Sequence, residues 1–114
     1  MIIKQEINCR DFVLYDRENN IIFTSEKCKL IKSKEIIVTP EYYTNKAFSK
    51  ESWDVVLDKE IPSNDATIWL IILGKIHNIK FISEIQNIEY SGEVLFEDNN
   101  WLGGYGELKE KNIQ

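Results

Sequence analysis

Trp53-Asp54-Val55-Val56-Leu57-Asp58 decides how this chain is read: Trp53, Val55 and Leu57 alternate with Asp54 and Asp58. That is the pattern of a strand with one packed and one solvated face. Further on, Thr67-Ile68-Trp69-Leu70-Ile71-Ile72-Leu73 is apolar at nearly every position and rich in β-branched residues. It predicts a central strand buried on both faces rather than a helix. A helix capped by Ser63 or Asn64 is the competitor for this segment, and its all-round apolar content weighs against that.

Ile76-His77-Asn78-Ile79-Lys80-Phe81 is echoed nine positions later by Ile85-Gln86-Asn87-Ile88-Glu89-Tyr90. Two neighbouring strands of a meander, or two coils of a solenoid, would give such a spacing. A solenoid needs about three or more units to bury its faces, and no third copy exists, so two adjacent strands are expected. Lys80 and Glu89 then occupy equivalent positions, and a cross-strand ion pair there would contribute about 0.2–1 kcal/mol.

Outward from this region the patterning stays β-like. Short strands are predicted at 2–7, 11–15, 21–24, 27–31 and 35–38, with turns at Asp16-Arg17-Glu18-Asn19-Asn20 and at Ser33-Lys34. The first turn predicts a hairpin joining Phe12–Tyr15 to Ile21–Phe23. Lys27, Lys29, Lys32 and Lys34 give their strand the look of a protected sheet edge. Thr39-Pro40-Glu41 combines a cap, a first-turn proline and an acidic residue, and so predicts a short helix over 40–49 with Tyr43, Ala47 and Phe48 inward. Ile61-Pro62-Ser63-Asn64-Asp65 reads as a loop, and Gly92–Glu97 as the last strand. Trp101-Leu102-Gly103-Gly104-Tyr105-Gly106 reads as a flexible turn presenting two aromatics, and residues 107–114 as a polar, frayed tail. The fold class expected is mainly β, with α+β as the variant. It would be one domain over 1–114, an antiparallel sheet, meander or small sandwich carrying one short helix.

With 114 residues, 43% hydrophobic and 29% charged, the chain can bury a core of its own and is not of disordered composition. The opening Met1-Ile2-Ile3-Lys4-Gln5-Glu6 lacks the basic flank and apolar core of a secretory signal, and no stretch approaches a membrane span. A soluble cytoplasmic protein is expected. Cys9 and Cys28 are then free thiols packed as small hydrophobes rather than a disulfide, and their spacing suits no metal site. No cofactor or metal is expected.

The net charge of −5 is unevenly distributed. Residues 1–57 carry nine basic and nine acidic side chains, whereas 58–114 carry five basic and ten acidic ones. No basic residue falls between Lys80 and Lys109, a window holding Glu84, Glu89, Glu93, Glu97, Asp98 and Glu107. Such a field repels nucleic acid and attracts a basic partner. Catalytic signals are weak by comparison. His77 is the only histidine, has no activating neighbour in sequence, and is expected at the surface. The glycine run lacks the lysine and hydroxyl of a phosphate loop. Glu93, Glu97 and Asp98 suit a solvated strand face or an acidic binding surface better than a cation site.

The function expected is therefore a small acidic interaction module, not an enzyme, which neutralises a basic macromolecule such as a nuclease. Immunity proteins that block nuclease toxins, and phage proteins of the anti-CRISPR type that block host defence enzymes, share this physical character. The partner-binding residues expected are Glu84, Glu89, Glu93, Glu97, Asp98, Trp101 and Tyr105, with no direct nucleic-acid or membrane binding. A structural β-rich subunit of a phage or other assembly is the alternative, and a small enzyme using His77 or the carboxylates is the third reading.

Overall fold

A computed structural model describes residues 1–40, 45–59, 74–98 and 100–113, with backbone only at 38–40, 45–48 and 97–98. Six strands follow one another: β1 Ile2–Tyr15, β2 Ile21–Pro40, β3 Asn45–Leu57, β4 Ile76–Ser83, β5 Ile88–Asp98 and β6 Trp101–Asn112. All pair antiparallel, and they close into a barrel in the order β1-β2-β3-β6-β5-β4. The mainly β expectation holds, and the sheet is closed rather than open.

Alternation builds the interior. Trp53, Val55 and Leu57 point inward from β3, Ile79 and Phe81 from β4, Tyr90 and Val94 from β5, and Leu102 from β6. Phe81 stacks on Tyr90 with ring centroids 5.3 Å apart and meets Phe12 at 6.4 Å, so side chains fill the middle of the barrel. In β1 the inward set changes phase, from Ile7 and Cys9 to Phe12 and Leu14. The cause is Asp11, whose φ of 54° marks an extra residue against β4, where Arg10 pairs with Ile82 and Val13 with Lys80. A bulge of this kind re-aims every later side chain and bends the strand. Pairing with β2 nevertheless runs from Ile2 to Tyr15, so 2–7 and 11–15 are one strand and not two.

The hairpin at Asp16–Asn20 forms as the sequence predicts. Asp16 Oδ1 accepts the N–H groups of Glu18 and Asn20, each at 2.8 Å, and Asn19 takes the left-handed conformation. The Lys80–Glu89 pair also forms, at 3.2 Å, along a diagonal of β4 and β5 because Lys80 itself faces Ser91. The echoed segments map unequally, however. Ile76–Phe81 is all strand, whereas Ile85 to Asn87 belongs to the β4–β5 turn and only Ile88–Tyr90 to β5.

Several expectations are corrected. No helix occurs among the described residues: residues 45–49 are strand, with Ser49 paired to Ile36 and Asn45 to Pro40. The capping chemistry of Thr39-Pro40-Glu41 is local, and the long β2–β3 ladder prevails over it. That ladder and the β1–β2 ladder run unbroken through Ser33 and Lys34, so no turn forms there. The lysine-rich strand is likewise no edge, since β2 lies between β1 and β3, with Lys29 near Glu6 and Lys32 bonded to Glu110. The expected frayed tail is ladder instead: Lys109 to Asn112 pair with Ser91 to Ile88, and Ile113 N–H donates to Asn87 O. The proposed inward set at 43, 47 and 48, the loop at 61–65 and the strand at 67–73 lie outside the described residues or side chains.

The glycine run is strand β6, for a steric reason. A Cβ on Gly104 would lie 2.3 Å from Trp53 Cε2 and 2.5 Å from the Trp53 carbonyl oxygen, and one on Gly92 would lie 2.9 Å from Trp53 Cζ2. Both glycines leave room for the indole, whose Nε1–H donates to Gly106 O at 3.0 Å. Trp53 thereby plugs the barrel beside the β3–β6 seam, which holds three ladder pairs, Asp54–Gly103, Val55–Leu102 and Val56–Trp101. Asn100 extends the seam by accepting from Leu57 N–H at 2.8 Å and donating to Leu57 O at 3.2 Å.

Candidate functional site

Because Gly104 and Val94 face the interior, their neighbours Tyr105 and Glu93 face out. Asn78, Glu93 and Tyr105 stand in one register row across β4, β5 and β6. Tyr105 is 52% exposed, so its ring is presented on the outer wall. Beyond this row β6 bulges: Glu93 pairs with Tyr105 but Ser91 pairs with Lys109, and Gly106 absorbs the distortion at φ 76°. The bulge carries Glu107 beside Tyr105. Glu93, Tyr105 and Glu107 line a groove of about 590 Å³, rimmed by Lys80 and Lys109. Neither Glu93 nor Glu107 makes an ion pair among the described residues.

The other expected site residues go elsewhere. Glu89 is held by Lys80 and faces Lys111 across the ladder, so the chain's own lysines offset its charge. Glu84 sits exposed in the β4–β5 turn, its N–H bonded to Asn8 O at 3.0 Å. With the half-buried Trp101 it lines a second groove of about 580 Å³, where Glu6 and Asp58 meet Lys27 and Lys29. The two grooves share no lining residue. Glu97 and Asp98 end β5, with Asp98 in register with Trp101. Their side chains lie outside the description. The structure thus brings Glu93 to Tyr105 and Glu84 to Trp101, and does not gather the five described site residues into one patch.

No family model, no curated protein and no solved structure matches the chain.

Inside the barrel, His77 is 4% exposed and opposite Val94, which corrects its expected surface position. Cys9 and Cys28 face each other across β1 and β2 and are unbridged. The hydrogen bond with Cys9 and then burial raise the Cys28 thiol's pKa, while the bond from Cys28 lowers that of Cys9. Among the described residues no group of three His, Cys, Asp or Glu side chains is placed to hold a metal ion, and no helix is long and apolar enough to cross a membrane. Glu107 is the site residue the sequence reading missed as a binder. Its position depends on the β6 bulge, for which Gly106 is the only local signal.

Proposed function

We propose that this barrel is a cytoplasmic interaction protein that docks on a basic macromolecular surface and blocks it, in the manner of an immunity protein or an anti-defence inhibitor acting on a nuclease. Tyr105 is the apolar anchor, and Glu93 and Glu107 are the carboxylates that flank it. The observation that supports this is the direct register of exposed Glu93 with half-exposed Tyr105 on an outward wall, with Glu107 brought alongside and neither carboxylate engaged by a described lysine or arginine. An aromatic ring beside unpaired charge combines lasting contact with electrostatic steering. Trp101 and Glu84 form a second, separate contact surface in this reading, and Glu89 contributes little because Lys80 already offsets it.

The interior is packed with side chains, so recognition takes place on the outer wall rather than in the barrel lumen. The test is retention of partners from the cognate cell lysate at low salt, on immobilised wild-type protein and on the double variant E93K/E107K. Retained proteins are identified by mass spectrometry, purified and titrated. A basic protein that binds the wild type, weakens steeply with salt and loses the charge-reversed variant supports the proposal. Equal binding by both overturns it.

A further inference from the structure

The barrel is not uniformly closed along its length. β1 pairs with β4 only from Cys9 onward, and β3 pairs with β6 only from Asp54 onward. The β1–β2–β3 ladder therefore runs on past these two seams, with Ile2–Asn8 paired to Lys29–Glu35 and Ser33–Pro40 paired to Asn45–Ser52. Among the described residues nothing pairs with the outer edge of β1 from Ile2 to Ile7. Ile2 and Ile3, at 61% and 50% exposed, lie on that edge. Such an edge is a template for another strand.

Which backbone groups it offers follows from two bonds. Asn8 O accepts from Glu84 on the β4 side, whereas Met1 exchanges bonds with Ile36 on the β2 side. In an antiparallel strand the N–H and C=O of one residue point the same way, and the direction alternates. The outward groups without a strand partner among the described residues are thus those of Ile2, Lys4 and Glu6, and the strand that pairs with them must match that parity.

The sequence of the edge, Ile3-Lys4-Gln5-Glu6-Ile7, is its own antiparallel complement. We propose that this edge pairs with the same edge of a second copy of this chain, about a two-fold axis through Gln5. In that register Lys4 of each copy faces Glu6 of the other as a hydrogen-bonded pair, and Ile3 faces Ile7. Moving the axis to Lys4 sets Lys4 against Lys4; moving it to Glu6 sets Glu6 against Glu6. Both satisfy the backbone parity, and both place like charges directly opposite, so charge selects the Gln5 register. Glu6 is free to take part, since its contact with Lys29 is long at 3.6 Å and its side chain is 62% exposed. The pairing consumes the same edge on both copies and so closes as a dimer rather than growing into a fibre.

Sedimentation equilibrium over a wide concentration series tests this on the full chain. Wild type should show a monomer–dimer equilibrium. E6K, which sets lysine against lysine at both symmetry-related positions, should weaken it about tenfold. The swap K4E/E6K, which restores opposite charges in the same register, should recover it. Q5C gives an independent reading, because a non-hydrogen-bonded pair on the axis brings its side chains within disulfide reach. Mild oxidation with oxidised glutathione should link Q5C into a covalent dimer and leave wild type unlinked. A wild type that stays monomeric to millimolar protein with Q5C unlinked, or E6K dimerising as well as wild type, overturns the proposal.

Discussion

Gly104→Ala is the substitution that most severely tests how Trp53 closes the barrel. The new methyl group would lie 2.3 Å from Trp53 Cε2, 2.4 Å from Cδ2 and 2.5 Å from the Trp53 carbonyl oxygen. Rotating the indole relieves only the first two contacts, because the carbonyl is fixed in β3. Overpacking of this kind costs about 1–3 kcal/mol. If the ring swings away instead, its hydrogen bond to Gly106 O is lost, at about 1 kcal/mol, together with part of the burial of a ring only 7% exposed. Either route costs about 1–3 kcal/mol, a sizeable share of the roughly 5–15 kcal/mol of a typical domain. Gly106→Ala is the reference. A Cβ there meets nothing within 4 Å, so only the positive φ is penalised, at about 1–2 kcal/mol. Urea unfolding followed by circular dichroism measures both, and adding Trp53→Phe to Gly104→Ala should recover only part of the loss. A cost below about 1 kcal/mol for Gly104→Ala would refute the cradle.

Asp16→Ala should lower the melting temperature by loosening the β1–β2 hairpin, as read by a thermal melt. The Asp16 carboxyl has a lowered pKa, chiefly through the backbone hydrogen bond from Asn20, so its stabilisation is present above the ordinary carboxylate range and lost as pH falls. The variant should therefore approach wild type in acid. Cys28 has the opposite sign: with its pKa raised, its contribution is complete below the ordinary thiol value of about 8.5 and declines as pH rises above it. Cys28→Ser should show a flatter alkaline limb in a plot of unfolding free energy against pH. In native protein a thiol reagent should leave Cys9 and Cys28 unmodified until denaturant is added, as mass spectrometry would show. A double-mutant cycle on Lys80 and Glu89, with side chains 46% and 25% exposed, should give a coupling under about 1 kcal/mol by urea titration.

Much of the barrel is legible in the sequence wherever the physics is local or strictly alternating. Trp53, Val55 and Leu57 announce an inward face, Asp16 and Asn20 announce their turn, and Lys80 and Glu89 announce a cross-strand pair. What is not legible depends on partners distant in sequence. Thr39-Pro40-Glu41 has real helix-start chemistry, yet Ile36–Pro40 finds Asn45–Ser49 as a ladder partner. Gly103 and Gly104 suggest a mobile turn until Trp53, some fifty residues earlier, is laid against Gly104. The site divides the same way. The alternation that makes Glu93 and Tyr105 outward is written in their own strands, but their register and the arrival of Glu107 come from a bulge. The separation of Glu84 and Trp101 from them comes from closure of the ring, which no single strand reveals.

Calorimetric titration of the purified lysate partner into wild type, E93K/E107K and Y105A tests the central claim most directly. Wild type should bind with an affinity that falls as salt is raised. The charge-reversed variant should lose binding and its salt dependence, and Y105A should bind at least about tenfold more weakly while keeping that dependence. Unaltered affinity in both variants would contradict a docking surface at Glu93, Tyr105 and Glu107.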